Sequence, residues 1–159
     1  MNSISGIENK STIKNFVTDF KQLTKVGLSL SVVFSSIAGY LLAAENVDGF
    51  IIVQLAIGGY FMVGASNAFN QVIEKDTDSL MKRTMYRPLP TGRMKISTAL
   101  LIAFSFTILG IAILYNINAK SALFGAISIF LYTSCLLYTS DAADDSLRVD
   151  LGGRRIIKK

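Results

Sequence analysis

Three oxygen-bearing side chains recur every four residues near the middle of the chain, at Asn70, Glu74 and Asp78. On a helix this spacing places all three side chains on one face. Amide and carboxylate oxygens suit a hard cation such as Mg²⁺, which usually keeps phosphate oxygens of a substrate as further ligands. Asp76 is a further candidate ligand, although it points away from the Glu74 face unless the helix has already ended. The pattern therefore predicts a magnesium site.

Basic residues follow these oxygen ligands directly. They are Lys82, Arg83, Arg87 and Arg93. Lysine and arginine bind phosphate oxygens through charge-assisted hydrogen bonds, so the combined segment outlines a diphosphate site. Asn70, Glu74 and Asp78, which we call the motif triad, would be its catalytic centre. Simpler explanations exist for each part. The triad can be the solvated end of a membrane helix, with Asp78 or Ser79 capping the next one. The arginines can anchor a span at the cytoplasmic surface.

The elements that must position these residues are membrane helices. Half of the 159 residues are apolar (51%), and the chain has no Trp and no His. This composition is typical of a membrane protein rather than a soluble domain. A bilayer-crossing helix needs about 20 mainly apolar residues. Four stretches qualify, at about 26–44, 50–70, 96–115 and 122–137, so we expect an all-α membrane protein with about four transmembrane helices.

The distribution of charge predicts the topology. The net charge of +5 would suit nucleic acid, but the basic residues cluster before the first span and between the second and third. The connection between the first two spans carries Glu45 and Asp48 and no basic residue. The positive-inside rule then places the N-terminus and the 74–95 loop in the cytoplasm, with a lipid bilayer and no nucleic acid as partner. Residues 1–25 do not resemble a cleaved signal peptide, and we expect an interfacial helix over Ile13–Leu23.

The segment Asn70–Arg93 resembles the first signature of the UbiA family of intramembrane prenyltransferases. The family pattern is Asn-x3-Asp-x3-Asp, followed in its haem-modifying branch by Met-x-Arg-Thr-x2-Arg-Pro-Leu and then Gly-Arg. Asn70 and Asp78 match the outer positions, and Glu74 replaces the middle Asp with a longer side chain that moves its carboxylate outward. The remaining matches are Met81, Arg83, Thr84, Arg87, Pro88, Leu89, Gly92 and Arg93. The resemblance covers nearly all of residues 20–134.

The resemblance implies a bundle of nine helices, built as two similar halves around a central cavity, of which this chain would be the N-terminal half. It implies that Mg²⁺ held by the motif triad binds the diphosphate of farnesyl diphosphate, and that the basic residues after it take the remaining phosphate oxygens. The implied acceptor is a vinyl group of haem b (protoheme IX), and the implied location is the bacterial inner membrane. A second acidic motif in the other half completes such a site, so we expect the 159-residue chain to be inactive alone.

Two alternative functions remain open from the sequence. One is prenylation of an aromatic ring, as in quinone biosynthesis, because that branch of the family shares the Arg-Pro-Leu-Pro-x-Gly element. The run from Met81 through Lys-Arg-Thr favours the haem-modifying branch. The other alternative is a non-catalytic membrane segment, such as half of a transporter, whose basic loop binds lipid headgroups.

The composition changes abruptly at Cys135. Residues 135–145 and 149–158 can be back-translated into a transposase-type sequencing-library adapter, in the right order and in one reading frame. We therefore expect the genuine sequence to stop near Ser134 and residues 135–159 to be a non-native tail. The alternative is a natural soluble tail with a turn at Gly152–Gly153 and a basic end.

Overall fold

The computed structural model describes residues 15–154, with side chains described as far as residue 138. Within this range the chain forms helices joined by turns and short connections, and it has no strand. The helices are α1 (15–24), α2 (Val26–Ala43), α3 (Gly49–Ile73), α4 (Lys75–Leu80), α5 (Ile96–Ile117) and α6 (Ala119–Arg154). The helix expected over Ile13–Leu23 is present from residue 15, and residues 13 and 14 lie outside the described range.

Four helices are long and apolar enough to cross a membrane: α2, α3, α5 and the first part of α6, Ala119–Tyr138. This confirms the prediction of an all-α membrane protein with four spans. Helix α6 continues to Arg154 without a break at Ser134, so its backbone does not mark the change in composition. The origin of the tail stays a prediction.

Helix α3 lies at the centre of the bundle and packs against α2, α5 and α6. Glycines allow it to approach α5 closely. A Cβ at Gly110 would lie 2.7 Å from the sulfur of Met62 and 3.3 Å from the carbonyl oxygen of Gly58. A Cβ at Gly58 would lie 3.1 Å from a methyl group of Ile113. Small residues at such crossings let helix backbones pack tightly in a bilayer, where burial of apolar surface gives no advantage.

Large apolar side chains cover the outside of the bundle instead of filling its centre. Phe34, Leu42, Phe124 and Phe130 are among them, and Leu42 is 90% exposed. The buried polar residues have a different location. They are Asp19, Thr24, Ser29, Asn67, Asn70, Gln71, Asp78 and Thr84, all near one end of α3. An apolar exterior over the spans is the arrangement expected of a protein surrounded by lipid.

The N-terminal segment and the basic loop lie at the same end of the bundle. Arg93 Nε is 3.1 Å from Asp19 Oδ1, and Gln71 near the end of α3 donates to backbone carbonyls of α1. We call this region the motif end; it comprises α1, the last two turns of α3, α4 and residues 81–95. The shared location is what the positive-inside topology requires. The assignment of this end to the cytoplasm stays a prediction.

Candidate active site

The motif triad stays in register across a break between two helices. Helix α3 ends at Ile73, Glu74 adopts a non-helical φ/ψ of −86°/8°, and α4 begins at Lys75. The four-residue hydrogen-bond pattern nevertheless continues, from Glu74 N to Asn70 O at 2.9 Å and from Asp78 N to Glu74 O at 2.7 Å. The structure therefore brings the three side chains together on one side, as their spacing predicts.

Arg87 connects the two carboxylates of the triad. Its Nη1 lies 2.5 Å from Asp78 Oδ2 and 3.9 Å from Glu74 Oε2. Asp78 is only 3% exposed, and a buried carboxylate is costly unless it is paired and hydrogen-bonded. Thr84 fixes the same turn by donating its hydroxyl to the Asp78 carbonyl at 3.1 Å. The loop after α4 thus folds back and delivers one guanidinium to the motif.

Asn70 has a free oxygen beside this pair. Its Nδ2 donates to Glu74 Oε2 at 2.9 Å, and its Oδ1 is buried without a hydrogen-bond partner among the described residues. A buried unpaired carbonyl oxygen costs free energy unless something absent from the protein satisfies it. A cation is such a group, and the oxygen belongs to a side chain that is hydrogen-bonded to one of the two carboxylates.

The donor set fits Mg²⁺ rather than a metal held by protein alone. Within the described part of the chain, no three His, Cys, Asp or Glu side chains are grouped closely enough to hold a metal ion. Asn70, Glu74 and Asp78 supply one amide oxygen and two carboxylates. Mg²⁺ is commonly held by one or two carboxylates, with substrate phosphates and water completing its octahedron. The residues present therefore fit a magnesium–diphosphate complex.

A cavity of about 490 Å³ opens beside this cluster, between the α1–α2 junction and the loop after α4. Its polar lining consists of Lys21, Gln22, Lys25, Arg83, Tyr86 and Arg87. Four of these side chains are basic, and none of the lining side chains is acidic. The basic lining suits a polyanion such as a diphosphate.

The other predicted ligands lie in different surroundings. Lys82 and Arg83 are exposed at the motif end, and only Arg83 lines the cavity. Asp76 is exposed on α4, away from the paired carboxylates. Arg93 is held elsewhere, by Asp19 and by the Tyr86 carbonyl at 2.9 Å. The roles of these four residues as ligands stay predictions, and the geometry favours Arg83 among them.

Lys25 is a cavity residue that the sequence did not identify as a candidate ligand. Burial and the neighbouring Arg87 guanidinium lower the pKa of Lys25 from its ordinary value, whereas Glu74 and Asp78 act in the opposite direction. Lys25 and Arg87 both line the cavity. In the sequence, Lys25 is one of several lysines before the first span, which is the ordinary signature of a positive-inside anchor. It also ends the Leu23-Thr24-Lys25 segment, which resembles the start of the first span in the haem-modifying branch.

Comparison with known families gives a match over most of the spans. The model of the UbiA prenyltransferase family matches residues 32–140. A protein named protoheme IX farnesyltransferase from Flavobacterium johnsoniae is 56% identical over 152 residues, which cover 94% of this chain and 50% of the relative. One of the same name from Christiangramia forsetii is 54% identical over 138 residues, covering 87% of this chain and 45% of the relative.

A more distant similarity reaches Thermus thermophilus. Its protein named protoheme IX farnesyltransferase is 37% identical over 123 residues, covering 76% of this chain and 20% of the relative. The chain thus spans about half the length of the Flavobacterium johnsoniae and Christiangramia forsetii relatives. No solved structure matches the chain significantly.

Proposed function

The chain belongs to the UbiA prenyltransferase family, and from this membership we propose that its motif end binds the diphosphate of farnesyl diphosphate for transfer of the farnesyl group to haem b. The observation that carries the proposal is the unpaired Asn70 oxygen beside the Arg87-linked carboxylates of Glu74 and Asp78. The names of the relatives support haem b as the acceptor.

In the proposed reaction, Asn70, Glu74 and Asp78 would hold Mg²⁺ for binding of the diphosphate. When bound, the metal supplies Lewis-acid neutralisation of the negative charge that grows on this leaving group. Arg87 orients the buried Asp78 carboxylate and keeps it paired until substrate arrives. Arg83 and Lys82 lie on the loop that follows the motif and neutralise the outer phosphate oxygens.

The bond changes then follow from the leaving group. The allylic C–O bond breaks, and its electron pair departs with the diphosphate. The π electrons of a haem vinyl group form the new C–C bond to the allylic carbon, and water adds to the resulting cation and loses a proton to leave a hydroxyl group. The apolar exterior of the spans keeps the reaction within the bilayer, where preorganised charges act strongly on a developing ion pair. We propose the cytoplasmic side of the bacterial inner membrane as the location, from the distribution of basic residues.

The first test measures donor binding by the chain itself. The 159-residue chain is placed in lipid nanodiscs, and binding of radiolabelled farnesyl diphosphate is measured with Mg²⁺ and with a chelator. We expect Mg²⁺-dependent binding that Asp78→Ala weakens at least about 100-fold, because it removes a ligand and leaves Arg87 unpaired. The matched control is Glu45→Ala, an exposed carboxylate between α2 and α3. Equal binding by Asp78→Ala and the control would contradict the proposal.

The second test identifies the acceptor. The chain replaces the stretch that it matches in the Flavobacterium johnsoniae relative, and the chimera is given farnesyl diphosphate with haem b or with 4-hydroxybenzoate. We expect farnesylation of haem b alone. Transfer to the aromatic acid would support the aromatic branch, and binding without transfer to either acceptor would contradict the proposed reaction.

A further inference from the structure

The connection between α1 and α2 is a single residue with a left-handed backbone. Lys25 has φ 46° and ψ 59°, and it is the one non-glycine residue with positive φ in the described part of the chain. A side chain in this conformation places Cβ too close to the following carbonyl oxygen, so glycine is the usual occupant. The backbone at Lys25 is therefore strained, and a glycine at this position would remove the strain.

Two side-chain amides of α3 hold this junction in place. Asn67 Nδ2 donates to the Thr24 carbonyl at 3.2 Å, and Gln71 Nε2 donates to the carbonyls of Gln22 at 2.9 Å and Leu23 at 3.0 Å. Both amides are buried, and they lie four residues apart on one face of α3. They donate hydrogen bonds to the last carbonyls of α1. These carbonyls have no partner in a further turn of α1, because α1 ends before the left-handed residue Lys25.

The strained residue presents its charge to the basic cavity. Lys25 lines that cavity together with Lys21, Arg83 and Arg87. Arg87 is paired with Asp78, but Lys25 has no ion pair or hydrogen bond from its side chain within the described residues. The lowered pKa of Lys25 has the same origin, since burial and the Arg87 guanidinium both disfavour its charged form. An unpaired cation facing other cations is stabilised by an anion between them.

We propose that the α1–α2 junction is a phosphate-binding turn, in which Lys25 contacts the diphosphate and Asn67 and Gln71 act as positioning residues that hold Lys25 toward it. This inference rests on the proposed function and adds a residue from outside the motif. The diphosphate then lies between the motif triad on one side and Lys25 on the other. The strain at Lys25 is retained because a glycine would relax the turn and remove the charge.

The test separates charge from backbone at one position. Lys25→Gly suits the positive φ but lacks the ammonium, whereas Lys25→Arg keeps a cation. In the nanodisc assay we expect Lys25→Gly to raise the Kd for farnesyl diphosphate at least about tenfold, because it removes one charge-assisted hydrogen bond. Lys25→Arg should recover most of the affinity. Lys95→Ala removes an exposed cation at the same end, away from the cavity, and should change Kd by less than about twofold.

A stability measurement on the same variants tests the strain. We expect Lys25→Gly to raise Tm by about 3 °C relative to the parent chain, because the left-handed conformation no longer costs free energy. A more stable protein with weaker binding is a combination that general loss of folding cannot produce. Unchanged diphosphate binding by Lys25→Gly would overturn the proposal, whatever its stability.

The positioning role of the Gln71 amide is tested by a double-mutant cycle. Gln71→Met keeps the shape of the side chain and removes its donor. It should raise Kd about fivefold when Lys25 is present and have no further effect in Lys25→Gly, because its role is to hold that lysine. Equal effects in both backgrounds would show a purely structural role and overturn the positioning assignment.

Two further arms separate this proposal from its premise. Nanodiscs with and without phosphatidylglycerol test whether a lipid phosphate occupies the turn; Lys25-dependent lipid retention with unchanged diphosphate binding would overturn the proposal. In the chimera, Lys25→Gly should raise the KM for farnesyl diphosphate and the inhibition constant of inorganic diphosphate, with the KM for haem b unchanged. Lys25-dependent diphosphate binding without haem farnesylation would refute only the proposed reaction. Farnesylation insensitive to Lys25 would refute only the turn.

Discussion

Helix α3 buries small and apolar groups in its first two-thirds and hydrogen-bonding groups in its last third. Gly58, Met62, Gly64 and Ala65 are the buried residues of residues 49–65, which we call the packing part. They contact α5 and α6 through methyl groups and aromatic edges, and a Cβ at Gly64 would lie 3.0 Å from the ring of Phe106. Shape alone determines which residues fit at these positions.

Residues 66–73, the polar part, bury Asn67, Asn70 and Gln71 together with Ala68. Two of the amides hold the α1–α2 junction, and the third borders the carboxylate cluster. These positions depend on the direction of donors and acceptors rather than on volume. The difference teaches that burial by itself does not identify a site. We expect substitutions in the packing part to change stability and those around the polar part to change binding.

The largest expected effect comes from a substitution on α5 that disrupts its contact with the packing part of α3. Gly110→Leu places a branched side chain where even a Cβ meets Met62 at 2.7 Å and a backbone oxygen at 3.3 Å. The helices must separate, and overpacking of this kind costs about 3 kcal/mol. Thermal unfolding in detergent, followed by circular dichroism, measures the loss. Gly39→Leu is the matched control, because nothing lies within 4 Å of its Cβ position. Similar Tm values for the two variants would contradict this account of the glycines.

The next effect concerns the ion pair between Arg87 and Asp78, which lies beside the polar part of α3. Arg87→Met leaves the buried Asp78 carboxylate without its partner, and we expect a loss of about 3 kcal/mol in the free energy of unfolding. Adding Asp78→Leu should restore most of that stability, because an apolar pair of similar size replaces both charges. The double variant should not bind diphosphate, because it lacks the Asp78 carboxylate. Denaturant unfolding and the nanodisc assay together measure this. Failure of the double variant to recover stability would mean that the pair has a larger structural role.

A smaller effect sharpens the boundary of the site. The ion pair between Arg93 and Asp19 involves an arginine side chain that is 46% exposed. We expect a double-mutant cycle with Arg93→Ala and Asp19→Asn to give a coupling energy of at most about 1 kcal/mol. If Arg93 only anchors α1, Arg93→Ala changes the Kd for farnesyl diphosphate less than about threefold. A tenfold rise would instead support the diphosphate-binding role predicted from the sequence.

The smallest effect is a dependence on pH. Burial and Arg87 lower the pKa of Lys25 below 10.5, and Arg83 adds to this, while Glu74 and Asp78 partly offset it. Between the lowered pKa and 10.5 the unfolded chain binds more protons than the folded chain, so the free energy of unfolding rises with pH. Below that window the cost of the charged form is fully present. Lys25→Met should lack this rise when alkaline unfolding curves are compared. Parallel curves would contradict the assignment.

Local patterns made much of this molecule predictable. Each span is an uninterrupted apolar run, and such a run determines its own helix in a bilayer because every backbone group must bond within the segment. The spacing of Asn70, Glu74 and Asp78 was also informative, although α3 ends before Glu74. It remained valid because the hydrogen bond from Asp78 to Glu74 carries the helical register across the break.

Contacts between distant segments were not predictable in the same way. The sequence offered several basic residues as phosphate ligands, and nothing in their spacing distinguished Arg87, which pairs with the motif, from Arg93, which pairs with Asp19. The left-handed turn at Lys25 gave no signal, because glycine, the residue that usually marks such a turn, is absent from that position. Both features arise when α1 and the loop after α4 meet across the end of α3.

The connection between α5 and α6 consists of Asn118 alone, and residues 44–48 join α2 to α3. Such short links leave little freedom for either helix of a pair to enter the bilayer by itself, so each pair is suited to insertion as one antiparallel helical hairpin during synthesis. Residues 74–95 lie between the two hairpins and contain a strongly charged segment of the chain. In the topology predicted from the basic residues, with the motif end in the cytoplasm, that segment is not translocated and the site assembles on the side where the chain is synthesised.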